Sequence, residues 1–267
     1  MPPIVKRGKA LFALLLSVCL LSIPAHAARV EYPLVGNLRP AAGTVEMWVR
    51  LDTEPGPSTS LPLLLINQPE RQLPQINFKY TAYWKPEELH LYLRMDGYLD
   101  RRPTEGGMNM SMENTWTQVK TANYPRHERL HKGDWHHIAF TWQGAFSPQS
   151  MVYLDGKIVA PQMQHVVEPW PDLEKGVLSL METHVTWDEL KISERVLTPE
   201  QIAASFARGA LVNDESTLLL EHFDTMQEGK TLAAQIAGYK GDSGGMIHGG
   251  NAAIVEGKFG KALKLMN

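Results

Sequence analysis

Two adjacent histidines, His136 and His137, stand between Trp135 and Trp142 in the string HKGDWHHIAFTWQG, with Asp134 just before them. Imidazole beside carboxylate is the raw material of metal sites and of proton transfer. The spacing argues against a shared site. Neighbours on a strand face opposite ways, so His136 groups with Ile138, Phe140 and Trp142, and His137 with Trp135, Ala139 and Thr141. Such a pair cannot chelate one ion from one face, and both read as structural. His127 and His131 have the one-turn spacing that would suit a metal on a helix, but Pro125 and the basic residues around it argue against a helix there.

Other strings invite chemistry and do not sustain it. Residues 241–245, GDSGG, match the string around the nucleophile of chymotrypsin-like proteases. That serine needs a histidine base, a buried aspartate and an oxyanion hole, and the accompanying Ala-Ala-His-Cys string is absent, so the glycines read as a turn. Glycosidic cleavage needs two carboxylates on one face, as E-x-D-x-E alternation on a strand would supply. No such run occurs: Glu87 and Glu88 are adjacent, and a bend is expected between Glu182 and Asp188. Aromatic side chains remain, because an electron-rich ring stacks on the apolar face of a sugar. Tyr83, Trp84, Tyr92, Tyr98, Trp116 and Trp170 fall in loops or on polar strand faces. Of these, Trp84, Trp116, Tyr92 and Tyr98 are the candidate ligand-binding residues.

The elements that must carry these residues are strands. In TVEMWVRL, Val45, Met47, Val49 and Leu51 alternate with polar or larger neighbours. LPLLLIN reads as a strand buried on both faces, QINFKY and LHLYLRM alternate, and Asp96-Gly97 is expected to turn the chain. IAFTW, MVYLDGKIV, VLSLME, WDELKIS, STLLLEHF and KFGKALKL follow, with a tight hairpin at Asp155-Gly156. One short helix near 199–208 is signalled by Thr198 as N-cap, Pro199 at the first position, Gln201 closing a capping box and Gly209 as the stop. The segment 97–130 has no sustained period and is expected to be a long functional loop. Regular short strands with turns between them predict an all-β, two-sheet antiparallel sandwich, not a parallel sheet.

The ends and the composition bound the rest. Residues 1–27 have a basic start, an apolar run, a proline and a small-x-small Ala25-His26-Ala27, which is a secretory signal. Cleavage near Ala27 would remove Cys19, the one cysteine, and leave residues 28–267 to fold without a disulfide. The net charge of -3 and a pI near 6.4 give no footprint for nucleic acid, and no later apolar stretch is long enough to span a membrane. Export to the periplasm, the surface or the medium is expected.

GTVEMWVRL, GDWHHIAFTWQG, MVYLDGKIV and WDELKISERVLTPEQIAA occur in this order over residues 43–209. Together they resemble the LamG-like jelly roll of the concanavalin A-like lectin/glucanase superfamily. The resemblance implies two packed antiparallel sheets and recognition of carbohydrate or of a cell-surface protein. It covers both enzymes and non-enzymes, so a glycan-cleaving enzyme with an unusual site, or an adhesion module without a small ligand, stands beside the lectin-like reading. The order departs from the family: pieces resembling its opening strands, LLLEHFD and VEGKFGKALKL, sit near the C-terminus. Either the domain is circularly permuted, with 218–267 supplying the displaced strands, or a second domain is cut short. Related domains often hold a structural calcium ion, and the matching positions here are Asp188 and Asp224.

Overall fold

The computed structural model describes residues 28–54, 60–67, 76–85, 88–97, 117–120, 130–143, 151–158, 162–163, 172–181, 184–227, 230–231 and 245–266. Residues 1–27, read above as a secretory signal, and the GDSGG string, apart from Gly245, lie outside them. In chain order the strands begin with β1 (Arg29–Pro33), β2 (Ala42–Leu51), β3 (Ser60–Asn67), β4 (Ile76–Lys85), β5 (Glu88–Gly97) and β6 (Thr117–Lys120). Then come β7 (Trp135–Gln143), β8 (Val152–Leu154), β9 (Lys157–Ile158), β10 (Gln162–Met163), β11 (Val177–Leu180) and β12 (Val185–Ser193). The helix α1 (Pro199–Arg208) separates these from β13 (Thr217–Glu221), β14 (Met226–Gln227), β15 (Lys230–Thr231), β16 (Met246–His248), β17 (Asn251–Glu256) and β18 (Lys261–Met266).

These strands form the two antiparallel sheets of a sandwich. The larger runs β10-β6-β5-β4-β3-β11-β1-β16-β15-β14, and the smaller β17-β18-β12-β2-β7-β8-β9, with β13 also paired to β12. The alternation of TVEMWVRL decides which side chains meet between them: Val45, Met47 and Val49 join Ile138, Phe140 and Trp142 in the core, facing Val30, Tyr32, Leu64, Ile66, Leu178 and Leu180 from the larger sheet. The Trp187 indole donates to the carbonyl of Leu63 at 3.1 Å, which ties one sheet to the other. Gly43 lies against Trp142 so closely that a Cβ there would stand 2.1 Å from the indole.

Local signals are realised where they are strong. Asp155 and Gly156 take φ of 49° and 76°, the paired positive angles of a tight two-residue hairpin between β8 and β9. Thr198 caps α1 through a complete capping box with Gln201, a device that stabilises a helix by about 1 kcal/mol. The helix covers the outer face of the smaller sheet. Ile202 packs with Ala139, Tyr153 and Leu197, and Phe206 with Trp48, Leu211 and Leu220.

Two expectations need correction. Asp96 and Gly97 do not turn the chain: they continue β5 and pair with Gln118 and Thr117. The segment 97–130 is consequently not loop throughout, since residues 117–120 extend the larger sheet as β6. The ladder between β5 and β6 outweighs a local turn signal, because backbone amides in a sheet take the partners that the whole sheet offers.

The C-terminal strands complete the smaller sheet. One edge of β12 pairs with β2 along its length. The other edge is shared end to end: Thr186 and Trp187 pair with β18, and residues from Leu190 onward pair with β13. The strings LLLEHFD and VEGKFGKALKL thus supply strands that lie beside β12.

Candidate functional site

The larger sheet turns one face to the core and the other away from it. Leu64 and Ile66 of β3 belong to the core, and their register partners on β4 are Phe78 and Ile76. The alternate positions form cross-strand rows on the far face. One row runs Met246, Glu31, Ser179, Leu65, Asn77, Asp96, Gln118 through seven strands. The next runs Lys79, Arg94, Lys120, Gln162. A third begins with Thr81 and Tyr92, and a fourth with Tyr83 and His90. On this face Leu65 and Ser179 are buried, while Glu31 bonds Arg29 at 2.6 Å and lies 3.3 Å from His248 Nε2.

Register separates the four aromatic candidates. Tyr92 stands opposite Thr81, in a row of the far face. Trp84 stands opposite Leu89, in the register rows that alternate with that of Tyr92. Tyr98 and Trp116 lie outside the described residues. Gly97 and Thr117, the described residues that flank that segment, are register partners. The basic positions beside Tyr92 are legible only as polar places in alternating strings, because their alignment across strands is a property of pairing.

The second cluster lies where β12 passes from one edge partner to the other. The register slips between Asp188 and Leu190, and Glu189 bulges out with a φ of 64°. A non-glycine residue held in that region costs on the order of 1 kcal/mol and persists only when its surroundings hold it. Here they do: Glu189 Oε2 accepts from the amide of Leu211 at 2.8 Å, and Oε1 bonds His222 Nδ1 at 2.7 Å. That bond raises the pKa of His222, against the opposing effect of burial; the negative charge of Glu189, Asp224 and Glu221 adds to the rise. Glu189 is a structural position that the string WDELKIS does not announce.

Asp188 is aimed at the turn between β17 and β18. Its Oδ2 accepts from the amides of Lys258 at 2.5 Å and Phe259 at 2.7 Å, while its buried Oδ1 has no hydrogen-bond partner among the described residues. Burial pushes its pKa up to about 6, the two amides pull against that, and Glu189 and Asp224 push with burial. Asp224 reaches the same turn, accepting from the amide of Lys261 at 2.9 Å. Both aspartates need glycine beside them: a Cβ at Gly257 would stand 2.7 Å from Asp188, and one at Gly260 would stand 2.6 Å from Asp224.

Calcium asks for six to eight hard oxygen ligands. The turn leaves Asp188 Oδ1 and one oxygen of Asp224 uncommitted to it, a donor set of the right chemistry that backbone carbonyls and water would have to complete. Among the described residues no three of His, Cys, Asp or Glu gather to hold a metal ion.

The paired histidines separate as strand geometry requires. His136 Nδ1 bonds Asp155 at 2.9 Å, and the same carboxylate accepts from the amide of His137, so Asp155 ties the hairpin to β7. His137 is buried beneath α1, 5.3 Å from the ring of Trp48 and 3.3 Å from Glu46 Oε1. His131 lies 3.3 Å from Glu54, and its proposed companion His127 is outside the described residues.

A two-sheet antiparallel jelly roll with a capped helix over one face defines the class of lectin-like sandwiches. The chain belongs to the concanavalin A-like lectin/glucanases superfamily, whose laminin G family it matches over residues 25–203. No curated protein matches it. Among solved structures it is similar to a heptameric SAP-like pentraxin from Limulus polyphemus, with 11% identity, 71% of this chain and 86% of that chain covered, and a TM-score of 0.42. A sialidase from Trypanosoma rangeli shares 15% identity over 66% of this chain and 24% of its own, at a TM-score of 0.39. The tailspike protein 2 of bacteriophage CBA120 shares 10% over 67% and 26%, at 0.44. This chain therefore spans about a quarter of those two proteins, and the likenesses bear on no ligand or activity. No helix among the described residues is long and apolar enough to cross a membrane.

Proposed function

We propose that the protein is an exported recognition module that binds glycan at a cell surface or in a secreted matrix. The observation that carries this reading is the far face of the larger sheet, where Tyr92 shares register rows with Thr81, next to the row of Lys79 and Arg94. An aromatic position whose register neighbours are amide and basic residue types suits a sugar, which offers an apolar ring face and a rim of hydroxyls. The carboxylate positions in the longest row, Glu31 and Asp96, are four strands apart. At ~4.8 Å per strand that is roughly 19 Å, beyond the ~5–9.5 Å that glycosidic acid pairs span, which favours binding over cleavage. Export rests on the basic and apolar residues of 1–27. The test is a glycan array probed with the purified protein, followed by titration of the best ligand. Binding that weakens about tenfold or more in Tyr92→Ala supports the reading. An array without signal overturns it.

Asp188 and Asp224, converging on the turn at Gly257 and Gly260, are proposed to hold a calcium ion. The ion would supply positive charge beside Asp188, whose proton affinity the neighbouring Asp224 raises, and would brace the turn that carries β18.

A further inference from the structure

Among the described residues, four strands end the two sheets: β10 and β14 the larger, β9 and β17 the smaller. The first three are two residues long. By contrast, β17 is six residues long and pairs with β18 alone, in unbroken register from Asn251 to Glu256. An outermost strand presents a row of amides and carbonyls that lack a partner, and proteins blunt such edges by shortening them or by placing lysine, proline or a bulge along them. The stretch Asn251-Ala252-Ala253-Ile254-Val255 has none of these devices. The core is also half-open there. Ala252 and Ile254 face inward beside Leu265 and Leu263, which are fully buried, yet they are themselves only partly buried, as is Ile247 of β16, packed against the same core. Strand β13 likewise pairs with β12 alone, but it is buried along its whole length.

We propose that the edge of β17 is the contact through which two copies of this chain associate, antiparallel and about a two-fold axis centred on Ala253. The inference goes beyond the glycan reading and does not depend on it. Directly opposed residues of antiparallel strands point to the same face, so a two-fold pairing keeps inside with inside only when it centres on a residue. Centring on Ala253 sets Ala252 against Ile254 of the second copy, which extends the inner apolar row across the contact. It sets Asn251 against Val255 of the second copy on the outside and leaves Glu256 beyond the ladder. Centring on Ile254 would instead set Glu256 against Ala252 on the inner side, a carboxylate beside apolar surface. On the outside Lys264 neighbours Ala253, but its ammonium lies 3.0 Å from Asp52 Oδ2, so the row that crosses the contact meets its copy without a bare charge. An extended segment of another protein could bond the same edge. The two-fold pairing favours a second copy because the same apolar row serves both sides and both open edges close in one contact.

The experiment is sedimentation of the purified protein over a range of concentrations. A ladder this short is a small interface, so a dimer with a dissociation constant on the order of 10 µM is expected. Ala253→Lys and Ala253→Glu each place a charge against its own copy, and each should weaken the dimer tenfold or more. An equimolar mixture of the two variants should restore it, because opposite charges then meet at the axis. Ile158→Lys, which adds a charge at the exposed far edge of the same sheet, should change nothing. Melting establishes that each variant is folded. Hydrogen exchange of the parent gives a reading without substitution: amides of residues 251–255 should gain protection as concentration rises. A protein that stays monomeric at about 200 µM, with those amides unprotected throughout, overturns the inference. So does a dimer indifferent to both charges at Ala253. A dimer that either charge disrupts and the mixture does not restore overturns the two-fold register.

Discussion

Glu189 bonds His222 at 2.7 Å and, through its other oxygen, the amide of Leu211 at 2.8 Å. One bulged residue thus secures the end of β13 and the segment after α1 at the point where β12 changes edge partners. Its neighbour Asp188 holds the turn that leads into β18. Two adjacent acids therefore fasten both C-terminal strands to one bulge.

Removing that fastening should be costly. Glu189→Ala leaves a buried amide and an imidazole without their acceptor, a loss of about 2–4 kcal/mol. Glu189→Gln retains an acceptor for Leu211 and should lose less. Urea unfolding at neutral pH checks both, and an alanine variant within about 0.5 kcal/mol of the parent would refute the role.

Truncation after Leu211 removes β13 and β18 and bares the whole of one edge of β12, with Trp187 and Leu190 beside it. An open edge over an apolar core invites aggregation. The shortened protein is expected to be insoluble or to melt far below the parent. A truncation product as monodisperse and as heat-stable as the parent would show that residues 212–267 are not part of this sandwich.

Acid should act through Asp214. Burial would raise its pKa, but hydrogen bonds from Lys191 and from the Ser216 hydroxyl and amide, with the charge of Lys191, hold it well below the usual carboxylate range. Lys191 Nζ stands 2.7 Å away and also donates to the carbonyl of Val212. A depressed carboxylate stabilises the fold fully above its unfolded value of 3.8, and that contribution is lost as pH falls through the lower folded value. Asp214→Asn should therefore lower the melting temperature at pH 7 and have little effect at the acid end. Parallel curves for parent and variant from pH 7 down to about 2 would contradict this account.

Calcium, if Asp188 and Asp224 hold it, should raise the melting midpoint by mass action, by about 2.7 kcal/mol at a hundredfold excess over Kd. Excess chelator should reverse the rise, and Asp188→Asn and Asp224→Asn should each abolish it. A midpoint indifferent to calcium and chelator removes the ion from the picture.

Much of this architecture was legible from local chemistry. The alternation of TVEMWVRL and WHHIAFTW determined which side chains enter the core, because successive residues of a strand face opposite ways wherever it pairs. That rule alone separated His136 from His137. The capping box of α1 and the Asp155-Gly156 hairpin were equally local, each satisfied within four residues. What the tertiary structure decided were the relationships between distant segments. Register put Tyr92 and Trp84 in alternate rows and aligned Lys79, Arg94 and Lys120, although each string read alone showed only alternation. Pairing with β6 overrode the turn signal of Asp96-Gly97. The bulge at Glu189 arises because two strands share one edge of β12, and partners from Leu211 and His222 hold a backbone angle that its own residue type disfavours. A sequence states the preferences of each segment; which partner each hydrogen-bonding edge receives is settled only when the chain closes on itself.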